Sequence, residues 1–144
     1  MTHHDAGKYS VKHPAGTQCD PAIEAAVREK AENGKLTCAA AHGIAAHFQT
    51  SPSEVGKTID LLEYRIVRCQ LGLFGYSPQK KIVTAAREAP SVLERRLQQS
   101  VADGRVSCLA CWDIARDLGI NKMDVASVCE LLGIKVKPCQ LGAF

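Results

Sequence analysis

Cys69-Gln70-Leu71-Gly72 returns seventy residues later as Cys139-Gln140-Leu141-Gly142. Working outward from that pair, residues 21–74 lie on 91–144 without a gap, and 14 of the 54 aligned positions are identical. Unrelated segments of ordinary composition would share about three. The identities include Glu24/Glu94, Gly34/Gly104, Cys38/Cys108, Ile44/Ile114, Ala45/Ala115, Val55/Val125 and Leu61-Leu62/Leu131-Leu132. Conservative pairs such as Asn33/Asp103, Lys35/Arg105 and Thr37/Ser107 fill the spaces between them. A duplication of this length means two copies of one small fold. Two copies are too few for a solenoid, and a pseudo-twofold pair is the natural product. A unit of this size is marginal alone, because a small domain buries a smaller share of its surface.

Each repeat reads as helix, short strand, helix, turn, helix, strand. Asp20-Pro21 opens the first helix with an N-cap and Pro at N1. Ile23, Val27 and Ala31, matched by Leu93, Leu97 and Val101, form one apolar stripe. Asn33-Gly34 and Asp103-Gly104 are expected to stop these helices. Lys35-Leu36 and Arg105-Val106 read as short strands. Thr37 and Ser107 cap second helices over about 38–48 and 108–118, with Ala41, Ile44, Ala45 and Phe48 inward, matched by Cys111, Ile114, Ala115 and Leu118. Ser51-Pro52-Ser53-Glu54 reads as a capping box for the third helix, and Asn121-Lys122-Met123-Asp124 repeats it. Its core face is Val55, Thr58, Ile59 and Leu62, matched by Val125, Val128, Cys129 and Leu132. The stretch from Arg65 to Tyr76 alternates and then meets glycines, which predicts a strand and a wing-like hairpin. Residues 77–90 read as a linker helix carrying Ile82, Val83 and Ala86, and residues 1–19 as a flexible arm.

This order resembles the winged helix-turn-helix of DNA-binding proteins. Ala115, Gly119, Val125 and Val128 carry the helix-turn-helix pattern best; the first repeat has Ala45 and Val55 but Gln49 and Thr58 at the other two places. The resemblance implies a mostly α fold with small β wings, in two tandem winged repeats over 20–76 and 91–144. It implies a DNA-binding transcriptional regulator whose third helix enters the major groove. The groove-facing candidates are then Ser53, Lys57, Thr58, Lys122 and Ser127, and the wing candidates Arg65, Arg68, Lys135 and Lys137.

Charge sets a condition on that expectation. The net charge is +3, but residues 21–76 balance six cations against six carboxylates. The third helix of the first repeat carries Lys57 against Glu54, Asp60 and Glu63, and that of the second Lys122 against Asp124 and Glu130. Phosphate neutralisation dominates affinity for DNA, so the wings must supply the cations. The alternatives are an adaptor that uses the same repeats for protein contacts and a small metal-binding protein. Candidate partners are DNA, another protein or a second copy in a homodimer; no run reaches membrane-spanning length.

Seven cysteines without an export signal point to a reducing cytoplasm. Cys108-Leu109-Ala110-Cys111 is a C-x-x-C at a helix start, where thiol pKa falls; the spacing suits a metal pair or a reversible disulfide, through which a regulator could sense metal or redox state. Cys108, Cys111 and Cys139, joined by Cys69 or Cys38, could hold zinc or an iron–sulfur cluster. The competing reading is packing, since free Cys is among the most buried residue types; Cys129, on a core face, fits that best. No nucleophile–base set, paired carboxylates or phosphate-cradling loop appears, so no enzyme activity is expected.

Overall fold

The computed structural model describes residues 9–143. Among them run six α-helices and four short strands: α1 (Pro21–Lys30), β1 (Lys35–Thr37), α2 (Cys38–His47), α3 (Pro52–Leu61), β2 (Arg65–Val67), α4 (Ser91–Ser100), β3 (Arg105–Val106), α5 (Cys108–Leu118), α6 (Lys122–Leu132) and β4 (Lys135–Val136). The protein is mostly helical, and each repeat has the same order of elements. No described helix is long and apolar enough to cross a membrane.

The caps fall where the sequence puts them. The Asp20 carboxylate accepts from the Ala22 and Ile23 N–H groups, Thr37 Oγ1 from Ala40, Ser107 Oγ from Ala110, and Ser51 Oγ from Glu54. The box at Ser51 is half-formed, because the Glu54 carboxylate pairs with Lys57 at 2.8 Å. Asn121 holds the N-cap position of α6 without a side-chain hydrogen bond.

Five expectations need correction. Helices α1 and α4 end at Lys30 and Ser100, before the glycines. Asn33-Gly34 and Asp103-Gly104 instead form two-residue turns, all four with positive φ, and Glu32↔Lys35 and Ala102↔Arg105 pair across them. Asn-Gly and Asp-Gly are the preferred residues of such turns. The wing hairpin is replaced by parallel pairing: β1 runs beside β2 and β3 beside β4. A left-handed Arg68 (φ 55°) ends the first ladder before a return strand can form. Residues 77–90 form no helix, since the β-branched run Ile82-Val83-Thr84 disfavours one. The Ile82 and Val83 N–H groups donate to the Gly72 carbonyl instead. Phe48 is exposed rather than inward.

The fifth correction concerns the arm. Residues 1–8 of it lie outside the described residues, and residues 9–13 are packed on α3 and the turn after it. Tyr9–Lys12 is a 3-10 turn with Tyr9 buried. The Tyr9 and Ser10 N–H groups donate to the Glu63 carboxylate at 2.9 and 2.8 Å. Lys12 and His13 reach the buried Asp60 at 3.1 and 2.8 Å.

Two compact units result, and their borders cut across the repeats. The first contains described residues 9–69 with 141–143; the second is Gln70–Gln140. Each repeat thus gives its Leu-Gly tail to the other unit. In the first unit Leu141 and Ala143 are buried, and a Cβ on Gly56 would land on the Leu141 carbonyl. In the second, Leu71 is buried and Gly72 sits against the Met123 and Ile82 side chains. The core of the first unit is built on Val27, Leu36, Ile44, Val55 and Ile59, and that of the second on Leu97, Val106, Ile114, Val125 and Val128.

Candidate nucleic-acid interface

The parallel ladders fix where the cations lie. In the first unit Lys35 is in register with Arg65, and Leu36 with Ile66. Lys35 and Arg65 are exposed while Leu36 and Ile66 are buried, as the twofold alternation of a strand demands. The second unit repeats the arrangement: Arg105 is in register with Lys135, both exposed, above a buried Val106. Neighbouring strands lie about 4.8 Å apart, so each unit holds two like charges side by side. Among the described residues none of these four cations makes an ion pair. Exposed Arg68 and Lys137 follow directly after β2 and β4.

Of the wing candidates, the structure therefore brings Arg65 and Lys135 to exposed strand positions and keeps Arg68 and Lys137 at the strand ends. Sequence reading missed Lys35 and Arg105. Their signal was the conservative match between repeats, but the expected hairpin concealed that β1 and β3 pair directly with the following basic strand.

The groove-facing candidates fare differently. Thr58 is 1% exposed and its hydroxyl donates to the Glu54 carbonyl at 3.0 Å, so it cannot touch a base. Ser53 is exposed and shares a hydrogen bond with Ser51. Lys57 is held by Glu54. Lys122 lies over the Trp112 ring, 4.5 Å from its centroid. Ser127 is half-buried, and its carbonyl accepts the Ala86 N–H. Gly56 and Asp60 on one flank of α3, and Glu63 just beyond it, meet Leu141, Lys12, His13, Tyr9 and Ser10, while Ser53 and Glu54 stay exposed. On α6 the outward Met123, Ser127 and Glu130 meet Gly72, Ala86 and Lys81. Insertion of α6 into a major groove would require those contacts to break.

The thiols do not assemble into a site. Among the described residues no three His, Cys, Asp or Glu side chains are grouped to hold a metal ion. The set drawn from Cys108, Cys111, Cys139, Cys69 and Cys38 is thus not formed. Cys38, Cys69, Cys108 and Cys111 are buried, and Cys139 is half-buried. Cys108 receives a hydrogen bond from the Gln140 amide at 3.4 Å. The Cys111 thiol is pushed up, first by its hydrogen bond to Cys129 and then by burial, against the depressed value its helix position suggested. Cys111 therefore faces Cys129 in the core. Burial followed by a hydrogen bond to Glu24 raises the Cys19 thiol as well.

No family model matches the chain, and no curated protein or solved structure is significantly similar to it.

Proposed function

We propose that the chain is a non-enzymatic nucleic-acid-binding protein, a regulator built on two helix-turn-helix units of the winged type. In it the cationic strand pair takes the place of the wing. One observation carries the reading: each unit sets two cations directly opposite each other on exposed strands, Lys35 beside Arg65 and Arg105 beside Lys135. Like charges facing across a ladder cost stability. The cost recurs at the same place in both repeats, and an anionic partner offsets it. A phosphate backbone supplies closely spaced negative charge and rewards such pairs through counterion release. The covered outer face of α6 and the carboxylates of α3, Glu54 and Asp60, favour backbone contact by the strands over base reading by a helix, which gives affinity with little sequence preference.

Fluorescence polarisation with a labelled duplex at several salt concentrations tests this. The wild type should bind with a steep negative salt dependence. Lys35→Ala with Arg65→Ala should reduce the logarithmic salt slope by about two, as should Arg105→Ala with Lys135→Ala. Binding that is absent at low salt, or a slope unchanged in both double variants, would overturn the proposal and leave the protein-adaptor reading.

A further inference from the structure

The second unit has a recess of about 520 Å³ that opens where α5 turns into α6. Trp112, Leu109 and Ile120 supply its apolar wall, and Lys122 stands at its edge with the ammonium over the indole. Leu109 is 53% exposed and extends the apolar side of the recess to the surface. Charge in the recess is uneven. Arg116 pairs with Asp113 and Asp117, both at 3.2 Å, and Asp117, outside the recess, also pairs with Arg96. Of the charged side chains that line the recess, Asp113 offsets Arg116 and Lys122 has no carboxylate partner among the described residues, so the lining carries one net positive charge. The first N–H groups of α6 add to it, because Asn121 does not cap them.

The duplication provides an internal control. The first repeat has Ala39 for Leu109, His42 for Trp112, Thr50 for Ile120, Ser51 for Asn121 and Pro52 for Lys122. There the Ser51 hydroxyl caps the helix. Positions that build the fold, Ile44/Ile114, Ala45/Ala115 and Val55/Val125, are identical in the same region. Of the eight lining residues only Ala115 matches its counterpart in the first repeat, and the other changes include added bulk, an aromatic ring and a cation.

We infer that this recess binds a small aromatic carboxylate, its ring against Trp112, Leu109 and Ile120 and its carboxylate on the Lys122 ammonium. The volume suits a compact ligand, and an apolar wall with one placed charge is the usual composition of such sites. A carboxylate would add an ion pair to a Lys122 ammonium that now meets only the indole face, while its ring covers Leu109.

Trp112 is the only tryptophan in the chain, so its emission reports the site directly. Titration of the full chain with 4-chlorobenzoate, in the absence of nucleic acid, should give a saturable change. 4-Chlorobenzyl alcohol, which lacks the charge, and acetate, which lacks the ring, should each bind at least about tenfold more weakly. Lys122→Met keeps the side-chain stem and should weaken 4-chlorobenzoate by about tenfold; Leu109→Ala, on the surface, should weaken it less. Amide shifts of the wild type under the same titration should concentrate at residues 109, 112 and 120–122. An unsaturable response, equal response to the alcohol, or shifts centred elsewhere would overturn the inference. These outcomes are independent of whether the strand cations bind phosphate.

Discussion

The two repeats solve the same turns with different residues. After the second helix, the left-handed position is Gln49 (φ 52°) in the first repeat and Gly119 (φ 66°) in the second. After the third helix it is Glu63 (φ 57°) against Gly133 (φ 69°). Glycine adopts this conformation without steric cost, and a side chain does so only when something else stabilises it. For Glu63 that compensation is visible, because its carboxylate holds two backbone N–H groups of the segment at Tyr9 and Ser10. The first repeat has thus accepted a strained residue to anchor a strap over α3. The second anchors its strap through Lys81 and Glu130 and keeps the relaxed glycine. Duplicated scaffolds diverge where the segments packed on them differ.

The largest test of that contrast is at Gly56. A methyl group there would collide with the Leu141 carbonyl, while the equivalent Ala126 is buried and already carries one. Gly56→Ala would otherwise gain about 1 kcal/mol as a helix-interior change. We expect a net loss of about 3 kcal/mol in denaturant unfolding, at the upper end of overpacking costs. Deleting residues 141–144 should lower the stability of the parent but not of the Gly56→Ala variant. A variant as stable as wild type would show that the tail does not lie on α3.

Next in size is the pair of strap anchors. Asp60 is 5% exposed and faces both Lys12 and His13, so Asp60→Ala removes the carboxylate partner of a partly buried ammonium and a partly buried imidazole. A loss of about 2–3 kcal/mol is expected. Glu130→Ala breaks a pair whose members are 32% and 46% exposed, and should cost about 1 kcal/mol or less. Equal costs would erase the distinction between a buried and a solvated anchor.

These anchors mark the limit of what the sequence discloses. Local chemistry was legible: Asp20, Thr37, Ser51 and Ser107 cap the helices they precede, and the stripes through Val27/Leu97 and Val55/Val125 form the cores. Lys35 and Arg105 matched across the repeats, but their placement beside Arg65 and Lys135 depends on long-range parallel pairing, which has no local signature. The straps were hidden for a similar reason. Tyr9, Lys12 and His13 lack periodicity, and their partners Asp60 and Glu63 lie about fifty residues away. The exchanged tails were the most visible motif in the chain, yet nothing in Gln-Leu-Gly says which unit receives it.

A third comparison lies inside the cores. The first repeat places Ala41 and Ile59 where the second has the facing pair Cys111 and Cys129. One small and one large side chain thus replace two of middle size. Cys129→Ile alone should overpack the second unit by about 1–2 kcal/mol. Cys111→Ala alone should cost about 1 kcal/mol for the lost sulfur. The double variant restores the Ala–Ile combination and should lose less than the sum, with a coupling of at least about 0.5 kcal/mol. Strict additivity would mean that the two thiols do not share one packing site. The same burial predicts slow alkylation of Cys111 and Cys129 in native protein and faster reaction at half-buried Cys139.

The smallest effect concerns pH and separates the straps without changing the core. Hydrogen bonds from Ser10 and the Tyr9 N–H hold the Glu63 carboxyl below its ordinary 4.5. A depressed carboxylate favours the folded state through its charged form. Its contribution is complete above the unfolded value of 4.5 and is lost as pH falls through the lower folded value. Glu63 is exposed, so the consequence is local loosening of residues 9–13 rather than unfolding. Amide exchange at Tyr9 and Ser10, corrected for its intrinsic pH dependence, should therefore accelerate as pH falls below 4.5. The second unit has Gly133 at this position and should show no matching change at its own strap around Val83. Glu63→Gln keeps a weaker acceptor but removes the charge, so the pH dependence should vanish while some protection remains. Exchange at Tyr9 and Ser10 that stays flat through this range in the wild type would break the link between the left-handed Glu63 and the strap it is proposed to hold.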